Sequence, residues 1–142
     1  MSLILSAATR LILPLMLLFS VFLLLRGHSE PGGGFVGGLV AAAAFTLFAL
    51  GYGVGRARHA LRIGTIELIG AGLLLAFLSG LLPLFGNLPF LTALWTSIEL
   101  PIIGPLNTVL LFDTGVYIVV VGVTLTIIFS MAEAEEVDSE ED

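Results

Sequence analysis

The 142-residue sequence contains no cysteine and no lysine, and charged residues make up only 11% of it. Without cysteine there is no disulfide framework, no thiolate metal site and no thiol nucleophile. The two histidines, His28 and His59, are not at metal-ligand spacing, and no phosphate loop or serine–histidine–aspartate set on facing segments is present. No enzyme chemistry, resident metal or cofactor is therefore expected. The basic residues are five scattered arginines, which form no patch of the kind that tracks a nucleic-acid backbone. What the sequence has in abundance is apolar: 58% hydrophobic residues and a mean hydropathy of +1.14. Soluble domains run near half apolar and about a quarter charged. This chain is too apolar for a soluble domain and too long for a single anchor.

The formal charge of −6 is unevenly spread. Glu133, Glu135, Glu136, Asp138, Glu140, Glu141 and Asp142 crowd the final ten positions. Upstream of them, five arginines face Glu30, Glu67, Glu99 and Asp113, so the body is nearly neutral. The acidic tail, 132–142, has no apolar periodicity and is expected to be disordered or a docking tag; residues 1–131 form the membrane domain.

A spanning helix needs about 20 mostly apolar residues. Four stretches qualify, at about 8–25, 35–54, 63–85 and 107–131. They are near-continuously apolar, without the in/out alternation of barrel strands. The predicted class is an all-α integral membrane protein with four transmembrane helices. On these bounds Pro14 falls in the first or second turn of the first span, where proline is tolerated best. Leu23, Leu24, Leu25 and Arg26 end that span without a small-residue cleavage pair, so it reads as an uncleaved segment.

Arg56, Arg58 and Arg62 lie between the second and third spans. The positive-inside rule puts that connection in the cytoplasm. Both termini follow it there, with Arg10 snorkelling to the inner surface and Arg26 alone outside. The connection at 86–106 carries Pro89, Pro101, Pro105 and the interface-favouring Trp95; it is expected at the outer surface as a short helix or turn.

The most distinctive stretch is Arg26, Gly27, His28, Ser29, Glu30, Pro31, Gly32, Gly33, Gly34, Phe35, Val36, Gly37 and Gly38. Gly32, Gly34 and Gly37 spell a dinucleotide fingerprint, but that fingerprint needs a preceding strand and an acidic residue about 20 positions on. Here an apolar helix precedes it, and the next acid is Glu67. Two readings remain. Gly33/Gly37 and Gly34/Gly38 are small-xxx-small pairs that admit a second helix backbone, and Ala41 to Ala44 extend the thin surface. Alternatively, the turn bends backbone groups toward an ion or water path, with His28 and Glu30 as proton carriers or as a solvated turn.

Two carboxylates fall inside spans, where ionised groups are costly and mark pathways or pairings. Glu67 sits near the cytoplasmic end of the third span, where Arg62 can reach it. Asp113 lies about six residues into the last span, roughly 9 Å along it. Asp113 serves a pathway, a subunit contact, or a local contact with Asn107 or Thr114; Tyr117, one turn on, can bond it. Glu99 reads as an exposed loop charge.

The glycine stretch, from Arg26-Gly27-His28 through Pro31-Gly32-Gly33-Gly34-Phe35 to Gly37-Gly38-Leu39, resembles the signature of the MnhB/MrpB-type subunit of Mrp multisubunit cation/proton antiporters. Leu111-Phe112-Asp113-Thr114-Gly115-Val116-Tyr117, with Ile118 to Gly122, resembles that family's last-helix motif. The resemblance spans the first to the fourth helix and leaves out the acidic tail. It implies a small subunit, not catalytic alone, of a hetero-oligomer in the plasma membrane that exchanges cytoplasmic Na+ for external H+. Complex I-like and membrane-bound hydrogenase assemblies carry a similar subunit. The partners it implies are other membrane subunits and the bilayer. The residues that match the family's motifs are His28, Pro31, Gly32, Gly33, Gly34, Phe35 and Asp113. A purely structural scaffold and a free-standing channel are the competing classes.

Overall fold

The computed structural model describes the backbone of residues 3–26, 33–81, 95–100 and 104–141, and side chains within 3–26, 33–81 and 110–135. Its elements are α1 (Leu3–Arg26), α2 (Gly33–Tyr52), α3 (Val54–Leu61), α4 (Thr65–Leu81), β1 (Trp95–Leu100), β2 (Gly104–Asn107) and α5 (Thr108–Glu141). Four helical stretches are long and apolar enough to cross a membrane: Leu3–Arg26, Gly33–Tyr52, Val54–Leu81 and Leu110–Glu135.

The elements depart from the sequence expectations at four places. First, α1 begins at Leu3, so Pro14 lies in the helix interior. Its missing N–H leaves the Arg10 carbonyl without its usual donor. Second, the arginine-bearing connection is itself helical. Gly53, at φ 95°, ends α2 in a conformation closed to most residues and lets α3 start at once. Third, Trp95–Leu100 pairs antiparallel with Gly104–Asn107, where a helix or turn was expected. Trp95, Thr96 and Ile98 are strand formers, and Pro101 bars the segment from helix. Among the described residues, this strand pair is the departure from helix.

Fourth, α5 runs past Met131 to Glu141, where the composition predicts disorder. Ala132, Glu133, Ala134, Glu135 and Glu136 are strong helix formers. Extending an existing helix is far easier than nucleating one, which is why charge alone did not end it. The 34 residues of α5 reach about 51 Å.

Packing is carried by small side chains. α4 lies along α5, and α2 is held between α1 and α5. The buried cluster comprises Ala41, Ala42, Val54, Ala57, Val121, Leu125 and Phe129. α3 is amphipathic: Val54, Ala57 and Leu61 turn toward that cluster, while Arg56 and His59 are exposed. Large apolar residues instead point away from the bundle, Leu11, Leu18, Leu50, Phe77 and Ile127 among them. That inversion suits a chain surrounded by lipid or by neighbouring membrane helices.

Candidate functional site

The two motif segments meet at the junction of α1, α2 and α5. A Cβ added at Gly34 would stand 2.5 Å from the Asp113 carbonyl oxygen, and one at Gly38 would stand 2.9 Å from that of Tyr117 and 2.8 Å from Val120 Cβ. Gly37 faces the other way, its would-be Cβ 2.8 Å from the Ser20 carbonyl oxygen and 3.3 Å from the Tyr117 ring. Gly33, Gly34, Gly37 and Gly38 are all buried, so α2 begins as a strip of bare backbone wedged between two helices. Phe35 is 55% exposed and points away.

A polar link crosses this junction. Ser20 Oγ donates to the Leu17 carbonyl at 2.7 Å, which leaves its oxygen to accept from the Tyr117 hydroxyl, also at 2.7 Å. Tyr117 thereby ties α5 to α1 across the glycines of α2. The i+4 spacing to Asp113 suggested a different partner; the hydroxyl goes to Ser20. Asp113 itself is half-buried in the second turn of α5.

Glu67 stands elsewhere. It is exposed, in the first turn of α4, and its carboxylate folds back over Gly64, occupying the space a side chain there would need. Gly64 accepts the Leu68 N–H at 3.0 Å, which makes it the residue that caps α4. A carboxylate three residues after the cap is favourable beside the helix N-terminus. Arg62 does not pair with Glu67; an ion pair on the same side of the bundle joins Arg58 to Glu133 instead. His28, Glu30, Pro31 and Gly32 lie outside the described residues, and Glu99 lies on β1.

Three further constellations were not singled out from the sequence. The α4–α5 seam is a second glycine contact, in which the backbones of Gly72 and Gly115 touch. A Cβ on either would stand 2.7 Å from the other's carbonyl oxygen. Gly122 lies as close to Ile69. The signal was available: Thr65, Gly72 and Ser79 recur every seven residues, as do Gly115 and Gly122. Such a repeat lets two membrane helices approach closely.

At the opposite end of the bundle from Asp113, the Tyr52 hydroxyl accepts from Ser6 Oγ at 2.9 Å and from Arg10 Nε at 3.3 Å, and donates to the Ser6 carbonyl at 3.1 Å. The Arg56 guanidinium lies 5.8 Å from the centre of the Tyr52 ring. Beside it, Arg58 Nε donates to Glu133 Oε1 while its guanidinium lies 5.0 Å from the Phe129 ring centre. Arg26 is at the other end of α1, 5.6 Å from the Phe22 ring centre. Arg10, Arg56 and Arg58 thus gather at one end. Among the described residues, no cluster of histidine and carboxylate side chains could hold a metal.

Among the described residues, four apolar helical stretches joined by close backbone contacts define the class as a polytopic, helical membrane protein. The sequence matches, over residues 4–126, the family described as "Domain related to MnhB subunit of Na+/H+ antiporter". The B-type component of a Na+/H+ antiporter from Bacillus subtilis is 47% identical over 135 residues, covering 94% of each chain. Its counterpart from Alkalihalophilus pseudofirmus is 40% identical, covering 91% of each. A chain in the structure of the Mrp complex from Dietzia sp. DQ12-45-1b is 33% identical, with a TM-score of 0.77 over 91% of this chain. This chain spans 14% of that longer chain. The chain belongs to the MnhB family of Na+/H+ antiporter subunits.

Proposed function

We propose that this chain is the MnhB-type subunit of a plasma-membrane Mrp antiporter that exchanges Na+ for H+. Both termini are cytoplasmic, and the chain braces the assembly while lending Asp113 to the ion pathway. The observation that carries this reading is the contact of Gly34 with the Asp113 backbone. A carboxylate in the second turn of a spanning helix sits where ionised groups are expensive and functional. The bare backbone of α2 fixes its position without a side chain to move. The gathering of Arg10, Arg56 and Arg58 at the far end supports the cytoplasmic assignment of that end through the positive-inside rule.

In this reading His28 and Glu30, which stand between α1 and α2 in the sequence, are further candidates for the ion pathway. Phe35, exposed on α2, turns toward a neighbouring subunit. Glu67 is assigned to the N-terminus of α4 and not to the pathway. The backbone contacts at Gly34 and Gly72 favour a second reading, in which the chain is a scaffold alone and offers no group to the ion.

The test is to isolate the complex from native membranes through a tag on this chain and reconstitute it in vesicles. Co-purification of the other Mrp subunits, with Na+-driven proton movement that is lost when this chain is deleted, is the expected result. Recovery with hydrogenase subunits, or of the chain alone, would overturn the reading.

A further inference from the structure

We infer that the corner formed by Arg10, Tyr52 and Arg56 binds the headgroup of an anionic phospholipid. Two guanidinium groups from different helices converge on one side chain there. Arg10 of α1 donates to the Tyr52 hydroxyl, and Arg56 of α3 lies against the face of the same ring. Both arginines are exposed. Neither has a carboxylate partner among the described residues, in contrast to Arg58, which is neutralised by Glu133. The nearby acid of α4, Glu67, is folded over Gly64. Two like charges drawn to one ring repel each other unless an anion bridges them, and a phosphate accepts from two guanidinium groups at once.

The corner is also fixed in place. Ser6 holds the Tyr52 hydroxyl from both sides, and Phe48 packs on the ring at 4.9 Å between centres. Gly51 presses on α1 at Thr9, so the helices carrying Arg10 and Tyr52 cannot drift apart. The surroundings point to lipid as the source of the phosphate. Leu3 and Ile4 in the first turn of α1 and Leu50 in the last turn of α2 are 85%, 81% and 70% exposed, so the helix ends that carry the corner present apolar surface on which acyl chains can lie. Tyrosine and arginine belong at headgroup depth, and basic pockets between spanning helices are recognised by anionic headgroups.

The experiment is native mass spectrometry of the full chain released from detergent micelles, titrated with phosphatidylglycerol or phosphatidylcholine. The wild type should retain phosphatidylglycerol in preference to phosphatidylcholine. Arg10→Gln with Arg56→Gln should weaken retention of phosphatidylglycerol about thirtyfold, on the scale of two arginine–headgroup contacts. The double lysine variant should keep most of it, which separates lost charge from lost folding, and Arg26→Gln at the other end of α1 should change nothing. Equal retention of both lipids, or undiminished phosphatidylglycerol in the glutamine variant, would overturn the inference. Displacement of the lipid by millimolar inorganic phosphate would also overturn it, because the affinity would then lie in phosphate alone.

Discussion

The two ends of the bundle are held by opposite means. At the Asp113 end, α2 meets α5 and α1 through glycine backbone, with a side-chain link from Tyr117 to Ser20 beside it. At the other end, where Gly51 meets the Thr9 side chain rather than backbone, long charged and aromatic side chains add ties from Arg10 to Tyr52 and from Arg58 to Glu133. Backbone contact is rigid and intolerant, because neither partner has a rotamer to change. Side-chain contact is adaptable and individually weak. The proposed role of Asp113 would draw on the first kind, which holds its backbone in place, and leave the other end to the second.

Side chains introduced on the rigid contacts should break this contrast most severely. Gly72→Leu drives a side chain into the Gly115 carbonyl and Val119. It should cost about 3 kcal/mol, the upper range for overpacking, and deplete the assembled complex in membranes on a native gel. Gly38→Ala, pressed on Val120 and the Tyr117 carbonyl, should cost about 2 kcal/mol in detergent thermal unfolding. Tyr117→Phe removes one hydrogen bond and should cost about 1 kcal/mol in the same assay. Glu133→Gln breaks an ion pair whose side chains are 36% and 45% exposed, and should shift stability by about 0.5 kcal/mol or less. Gly70→Ala sharpens the comparison from the other side. Two residues before Gly72 in the same helix, it faces open space, so the substitution should be neutral or stabilise by about 0.5 kcal/mol.

The spans were legible because about 20 apolar residues in a row have few other uses. The contact surface of α2 was legible too, since consecutive small residues at i, i+4 spacing exist to admit a neighbour. The partner was not: nothing local says that Gly34 faces Asp113 rather than another protein. Tyr117 misled for the same reason, because an i+4 neighbour is visible in sequence while Ser20, on another helix, is not. α3 was hidden by the weight given to its arginines. Its apolar side, Val54, Ala57 and Leu61, is spaced for a helix, but eight residues are too few for periodicity alone to decide. The extension of α5 was missed by treating charge as disorder, when alanine and glutamate carry an existing helix onward without any packed face.

The measurement that bears most directly on the role of Asp113 is Na+-driven proton movement by the assembled antiporter carrying Asp113→Asn, normalised to the amount of intact complex. Asparagine preserves shape and removes the charge. A pathway carboxylate predicts wild-type assembly with transport reduced about tenfold or more, the scale of one lost charge contact. Transport at the wild-type rate in an intact complex would contradict that role and leave the chain as a scaffold.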